Sequence, residues 1–183
     1  KTYKRQNTLL LMGSYIFYSW WDVRFLSLII LSTIVDYFIG QKIYKHDRKK
    51  KYLLISVFFN LSLLGFFKYY NFFIDSWIEL LFLLGINQEH NWTLNIILPV
   101  GISFYTFQTM SYSLDIYKKK LKPIDDFLTF ATFVSFFPQL VAGPIERASN
   151  LLPQLLKKRT FHYNQGKQGF RLIIWGLFKK VVI

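Results

Sequence analysis

The stretch spanning residues 98–147 constrains the fold more than any other part of the chain. It reads LPVGISFYTFQTMSYSLDIY, then a basic break KKKLKP, then IDDFLTFATFVSFFPQLVAGPIER. Long apolar runs here contain Gln108, Asp115, Gln139, Glu146 and Arg147, and Pro138 and the pair Gly143-Pro144 interrupt the second half. A soluble core rarely combines so many breakers and polar groups within such apolar runs. In a bilayer, backbone groups freed by proline or glycine must be satisfied by protein or by a watery cavity. The pattern predicts an all-α, polytopic membrane protein with broken or re-entrant helices and a polar internal path.

The distribution of charge agrees. The chain has 183 residues, 52% hydrophobic and 20% aromatic, with a formal net charge of +13. Its cations bunch at 42–51 (KIYKHDRKKK), 118–122 (KKKLK) and 157–159 (KKR), with apolar stretches between. A nucleic-acid binder would spread them over one folded face among exposed aromatics. Here Tyr and Trp gather near the ends of apolar runs, as at a membrane–water boundary. The expected partner is therefore a lipid bilayer and not nucleic acid. With no cysteine, disulfides, thiolate catalysis and cysteine-based metal sites are excluded.

A spanning helix needs about 20 apolar residues. Residues 25–43 suffice, though Asp36 lies among them, and 52–74 form a span as far as Phe67. Residues 8–21 fall short, and 75–86 read as a shorter amphipathic piece. The stretch 94–117 reads as the cleanest long helix, with Pro99 and Gly101 in its first turns, where proline is best tolerated. Residues 127–141 are apolar but broken at Pro138, and 170–183 open a further helix. The positive-inside tendency places 42–51 and 118–122 in the cytoplasm and the Lys/Arg-free loop 87–93 outside.

Gln108, Ser111 and Asp115 are spaced three and four apart and share one helix face. They read either as the wall of a substrate path or, for Asp115, as a helix end beside Lys118. Gln139, Glu146 and Arg147 would stand at the mouth of a segment broken by Pro138, Gly143 and Pro144. The Arg147 fork suits a phosphate or carboxylate, and equally an internal ion pair or a headgroup. His46, His90 and His162 lie outside the long apolar runs without metal-ligand spacing, so they read as surface histidines and no metal site is expected. Asp75 and Glu79, four apart, read as the wet face of an interfacial helix. No nucleophile elbow, Ser-His-Asp grouping or phosphate-cradling glycine loop is present.

The run LPVGISFYTFQTMSYSLDIY, followed by DFLTFATFVSFFPQLVAGPIER and LLPQL, resembles the membrane-bound O-acyltransferase (MBOAT) family, of the alginate O-acetyltransferase type. SYIFYSWWDVRF, STIVDYFIG, FNLSLLGFFKYYNFFIDS and GFRLIIWGLFKKVVI extend the likeness over nearly the whole chain. The resemblance implies a multi-pass protein of the bacterial cytoplasmic (inner) membrane, its helices forming a ring around a tunnel. Such a protein would transfer acetyl from a cytoplasmic thioester such as acetyl-CoA to hydroxyls of an extracytoplasmic polysaccharide, with a partner protein outside the membrane and no bound cofactor. It marks Gln108, Asp115, Pro138, Gln139, Gly143, Pro144, Glu146 and Arg147 as parts of the family pattern, in a tunnel-wall or structural role. The family's signature histidine is expected beyond Ile183. Residues 1–183 are then expected to be a partial transmembrane domain cut at both ends, with no catalytic residue of its own. The teichoic-acid D-alanylation membrane protein and a transporter or flippase of surface-polymer intermediates are the rival readings.

Overall fold

The computed structural model describes residues 2–85, 94, 97–144 and 146–182. Among the described residues every regular element is helical. Helix α1 (Thr2–Trp21) turns through Asp22 into α2 (Val23–Lys45). Asp22 caps α2 by accepting from the Arg24 N–H at 2.8 Å, and it pairs with the Arg24 guanidinium at 2.7 Å. That hydrogen-bonded guanidinium holds the Asp22 carboxyl below its ordinary range. Lys42 and Lys45 complement the negative end of α2.

Helix α3 (Lys49–Leu64) passes through a π-helical turn, Gly65–Tyr69, directly into α4 (Tyr70–Leu83). The expected division into a span as far as Phe67 and a separate piece at 75–86 is thus replaced by one rod, Lys49–Leu83, which with Val23–Lys45 is long and apolar enough to cross a membrane. π-turns of this kind re-aim a helix without ending it. No residue of α4 is buried, and Asp75 and Glu79 are both exposed. The loop 87–93, with His90, lies outside the described residues.

Helix α5 (Ile102–Tyr117) starts later than the apolar pattern suggests. Pro99 and Gly101 precede it: Gly101 is the N-cap, with φ +77°, and a Cβ there would meet the Leu140 carbonyl oxygen at 3.1 Å. Both the left-handed backbone and the close approach call for glycine. Helix α6 (Phe127–Val134) and the short α7 (Phe137–Ala142) follow, then α8 (Ala148–Leu155) and α9 (Tyr163–Val182). The break between α6 and α7 falls at Ser135–Phe136, before Pro138, which sits in the first turn of α7. There its missing N–H costs nothing.

Helix α5 is the central element, packed on α2 and α3 on one side and on α6, α7 and α8 on the other. Ile29, Ile43, Tyr105, Tyr112, Phe130, Phe133 and Leu152 fill the core, with the Tyr112 and Phe130 rings 4.5 Å apart. Large apolar residues such as Leu31, Phe38, Leu54, Phe58 and Leu61 face outward, while Asp36, Asn60, Gln108 and Gln139 are buried. An apolar exterior around a polar interior is the arrangement a bilayer imposes. This is an all-α membrane protein. Its basic bunches share one end: the Gln41 side-chain amide donates to the Ile124 carbonyl, Lys4 pairs with Asp126 at 3.3 Å, and Gln6 bonds Arg159.

Candidate functional site

Two buried polar clusters flank α5. The first faces α6 and α7. Gln108 Nε2 donates to the Phe133 carbonyl at 2.6 Å and to Gln139 Oε1 at 3.3 Å. The Phe133 carbonyl is close to the end of α6, where helical carbonyls lose their partners, so the α6–α7 break supplies the acceptor that anchors Gln108. Gln139 is carried inward on α7, one turn before the Gly143 cap, whose backbone approaches Gln139 so closely that a Cβ at 143 would lie 2.7 Å from its Cα. Gln108 is 1% exposed and Gln139 4%. Gln108 Oε1 and Gln139 Nε2 have no hydrogen-bond partner among the described residues, and neither has Tyr105 Oη or Thr106 Oγ1. Both atoms are sealed from solvent, so the paired amides carry one unmatched acceptor and one unmatched donor.

The second cluster faces α2 and α3, and the sequence reading passed over it. Asp36 of α2 is wholly buried: Ser56 Oγ donates to its Oδ1 at 2.6 Å and Asn60 Nδ2 to its Oδ2 at 2.8 Å. Ser113 Oγ lies 3.0 Å from Ser56 Oγ, and Thr109 Oγ1 donates to Asn60 Oδ1 at 3.1 Å. Three helices are thereby joined by neutral donors around one carboxylate. The signal was present: an acid inside the apolar run 25–43, and the pairs Ser56/Asn60 and Thr109/Ser113 at i,i+4 inside two others.

The remaining sequence-predicted residues lie elsewhere. Ser111 is half-buried and bonds back to the Gln108 carbonyl at 2.8 Å. Asp115 is buried in the last turn of α5, where its carbonyl closes the reversal by accepting from Lys120 N, and its Oδ2 has no partner among the described residues. Glu146 accepts from Asn150 Nδ2 at 3.2 Å, and the exposed Arg147 opens α8 as its N-cap. Neither belongs to an ion pair among the described residues. The structure therefore brings together Gln108 and Gln139, and separates Glu146 and Arg147 from them. Gly143 closes α7, and Pro144 is exposed just after it. His46 and His162 are exposed, and no group of acids and histidines that could hold a metal occurs among the described residues.

Over 182 positions the chain is 38% identical to the probable alginate O-acetylase AlgI of Pseudomonas aeruginosa, covering 97% of this chain and 34% of that protein. The counterpart from Pseudomonas syringae pv. tomato is also 38% identical, with 97% of this chain and 35% of that protein covered. The chain is thus similar to the alginate O-acetylases over nearly its whole length. The peptidoglycan O-acetyltransferase of Helicobacter pylori is 36% identical over 203 aligned positions, 95% of this chain and 37% of that protein. The resemblance to the membrane-bound O-acyltransferases, carried above by motifs, thus extends over nearly the whole chain. The chain spans about a third of the length of these relatives. No family model matches the chain, and no solved structure gives a significant match.

Proposed function

We propose that this chain forms part of a membrane O-acetyltransferase that moves acetyl from a cytoplasmic thioester, of the acetyl-CoA class, to hydroxyls of a surface carbohydrate polymer such as alginate or peptidoglycan. The observation that carries this reading is the identity of 36–38% over nearly the whole chain to relatives named for acetylating those two polymers.

The chemistry needs three things: a path through the bilayer, a base for the acceptor hydroxyl, and restricted water. In the transfer the acceptor oxygen attacks the thioester carbonyl, the hydroxyl proton passes to a base, and the C–S bond breaks to release the thiol. Gln108 and Gln139 would supply a polar stretch of wall, since they are buried together and hydrogen-bonded to each other. The exposed His46 and His162 are poorly placed as the base, which the family resemblance assigns to a histidine further along. The shared basic end supports an orientation with 42–51, 118–122 and 157–159 in the cytoplasm, in a multi-pass inner-membrane protein working with an extracytoplasmic partner.

The test is expression of the full-length protein in cells lacking their own polymer acetylation, scoring acetyl ester released by mild alkali from purified alginate and peptidoglycan. Ester above the empty-vector level on one polymer is expected. Its absence from both, with the protein present in the membrane, would contradict the reading.

A further inference from the structure

Asp36 is an acid inside the bundle with no cationic side chain to match it. It is wholly buried, and no lysine, arginine or histidine pairs with it among the described residues. Ser56 and Asn60 donate to its two oxygens at 2.6 and 2.8 Å, which solvates the carboxylate and leaves its charge in place. A buried charge held by neutral donors alone is costly, and a counter-ion beside it offsets that cost.

Ser32 is the second observation. It lies one turn before Asp36 on the same face of α2, close enough to act on the carboxyl group. Buried hydroxyls in helices commonly return to the carbonyl four residues back. Thr33 does so to Ile29 at 2.6 Å, and Ser135 to Ala131 at 2.8 Å. Ser32 Oγ is as deeply buried, yet it makes no hydrogen bond among the described residues. An oxygen without a partner therefore stands beside a carboxylate without a counter-charge. The Ser56 and Ser113 hydroxyls, 3.0 Å apart, approach the same group from α3 and α5.

We propose that Asp36 and the hydroxyls of Ser32, Ser56 and Ser113 hold one sodium ion between α2, α3 and α5, with Asn60 and Thr109 bracing the set. Oxygen-only groups suit hard cations. A hydroxyl can donate its proton to a carboxylate and still offer a lone pair to a cation. One carboxylate balances one positive charge, whereas a divalent ion would leave a net charge buried. The oxygens stand 2.6 and 3.0 Å from one another, a spacing that favours sodium over the larger potassium ion. A proton would need one acceptor, and this set brings oxygens from three helices. Every member but Asp36 is neutral, so the set differs from the acid and histidine groupings that hold transition metals. It is separate from Gln108 and Gln139, and it stands or falls apart from the acetyl-transfer reading.

The experiment follows the unfolding midpoint of the purified full-length protein in detergent, in sodium, potassium or choline chloride at one ionic strength. Saturating sodium is expected to raise the midpoint by about 3 °C over choline, and potassium by less. Asp36→Asn, which keeps the shape and removes the charge, abolishes that rise. Ser32→Ala removes a hydroxyl that bonds to nothing, so its midpoint in choline is no lower than the wild type's. It is expected to need about tenfold more sodium for half the rise, and it decides the matter if Asp36→Asn does not fold. Equal wild-type midpoints in the three salts, or a sodium response unaltered in Ser32→Ala, would overturn the proposal. Equal midpoints that shift with pH in the wild type and not in Asp36→Asn would assign a proton to Asp36 and overturn the ion.

Discussion

Gly40 shows how little room the packing of α2 on α5 leaves. A Cβ at that position would stand 2.6 Å from Tyr112 Cε1 and 3.1 Å from Ile116 Cδ1. Tyr112 has no room to yield: it is wholly buried, and its hydroxyl accepts from the Ile124 N–H at 3.1 Å. Gly40→Ala is therefore expected to destabilise the protein by about 1–3 kcal/mol, seen as a lower unfolding midpoint of the full-length protein in detergent. An unchanged midpoint would mean that the helices do not meet there. Single residues also explain what the sequence could reveal of the site. Gln108 stood out as a polar residue in an apolar run, but its partner lies 31 positions away, and no local spacing announces that pairing. Asp36 was equally conspicuous, yet its meaning depends on Ser56 and Asn60 from another helix.

At the scale of elements, long uniform runs were the most legible and junctions the least. The expected span 25–43 lies within Val23–Lys45, because its apolar run ends at a true turn with Asp22 before it and a basic bunch after. The start of α5 was hidden, since residues 97–100 are as apolar as the helix that follows and only the left-handed Gly101 ends the irregular backbone. Pro138 inside an apolar run predicts the break at that residue, whereas it opens the second helix and the break lies just before it. The elements α2, α3 and α5 are tied by the Asp36 cluster. Asp36→Leu would take from Asn60 Nδ2 one of its acceptors and leave Ser56 Oγ with Ser113 Oγ alone, and is expected to cost about 1–3 kcal/mol, with Asp36→Asn costing less because it keeps one acceptor. The comparison of the two unfolding midpoints checks this; equal, negligible losses would remove the cluster as a tie between helices.

For the whole molecule, the decisive property is an apolar exterior around an interior that mixes apolar side chains with buried, hydrogen-bonding ones. That arrangement suits a lipid solvent, and it leaves Gln108 and Gln139 as a polar pair in the interior of the bundle. Replacing both Gln108 and Gln139 by leucine removes the unmatched donor and acceptor together but takes from the Phe133 carbonyl its donor, a loss of about 1–3 kcal/mol in stability. The most direct measurement is the acetyl-ester content of polymer from cells expressing the full-length Gln108→Leu/Gln139→Leu protein, with membrane level and unfolding midpoint measured alongside. The account predicts at least about a tenfold loss of ester, equivalent to about 1.4 kcal/mol of transition-state stabilisation, with the membrane level unchanged and the midpoint still above the growth temperature. Ester at the wild-type level would contradict it.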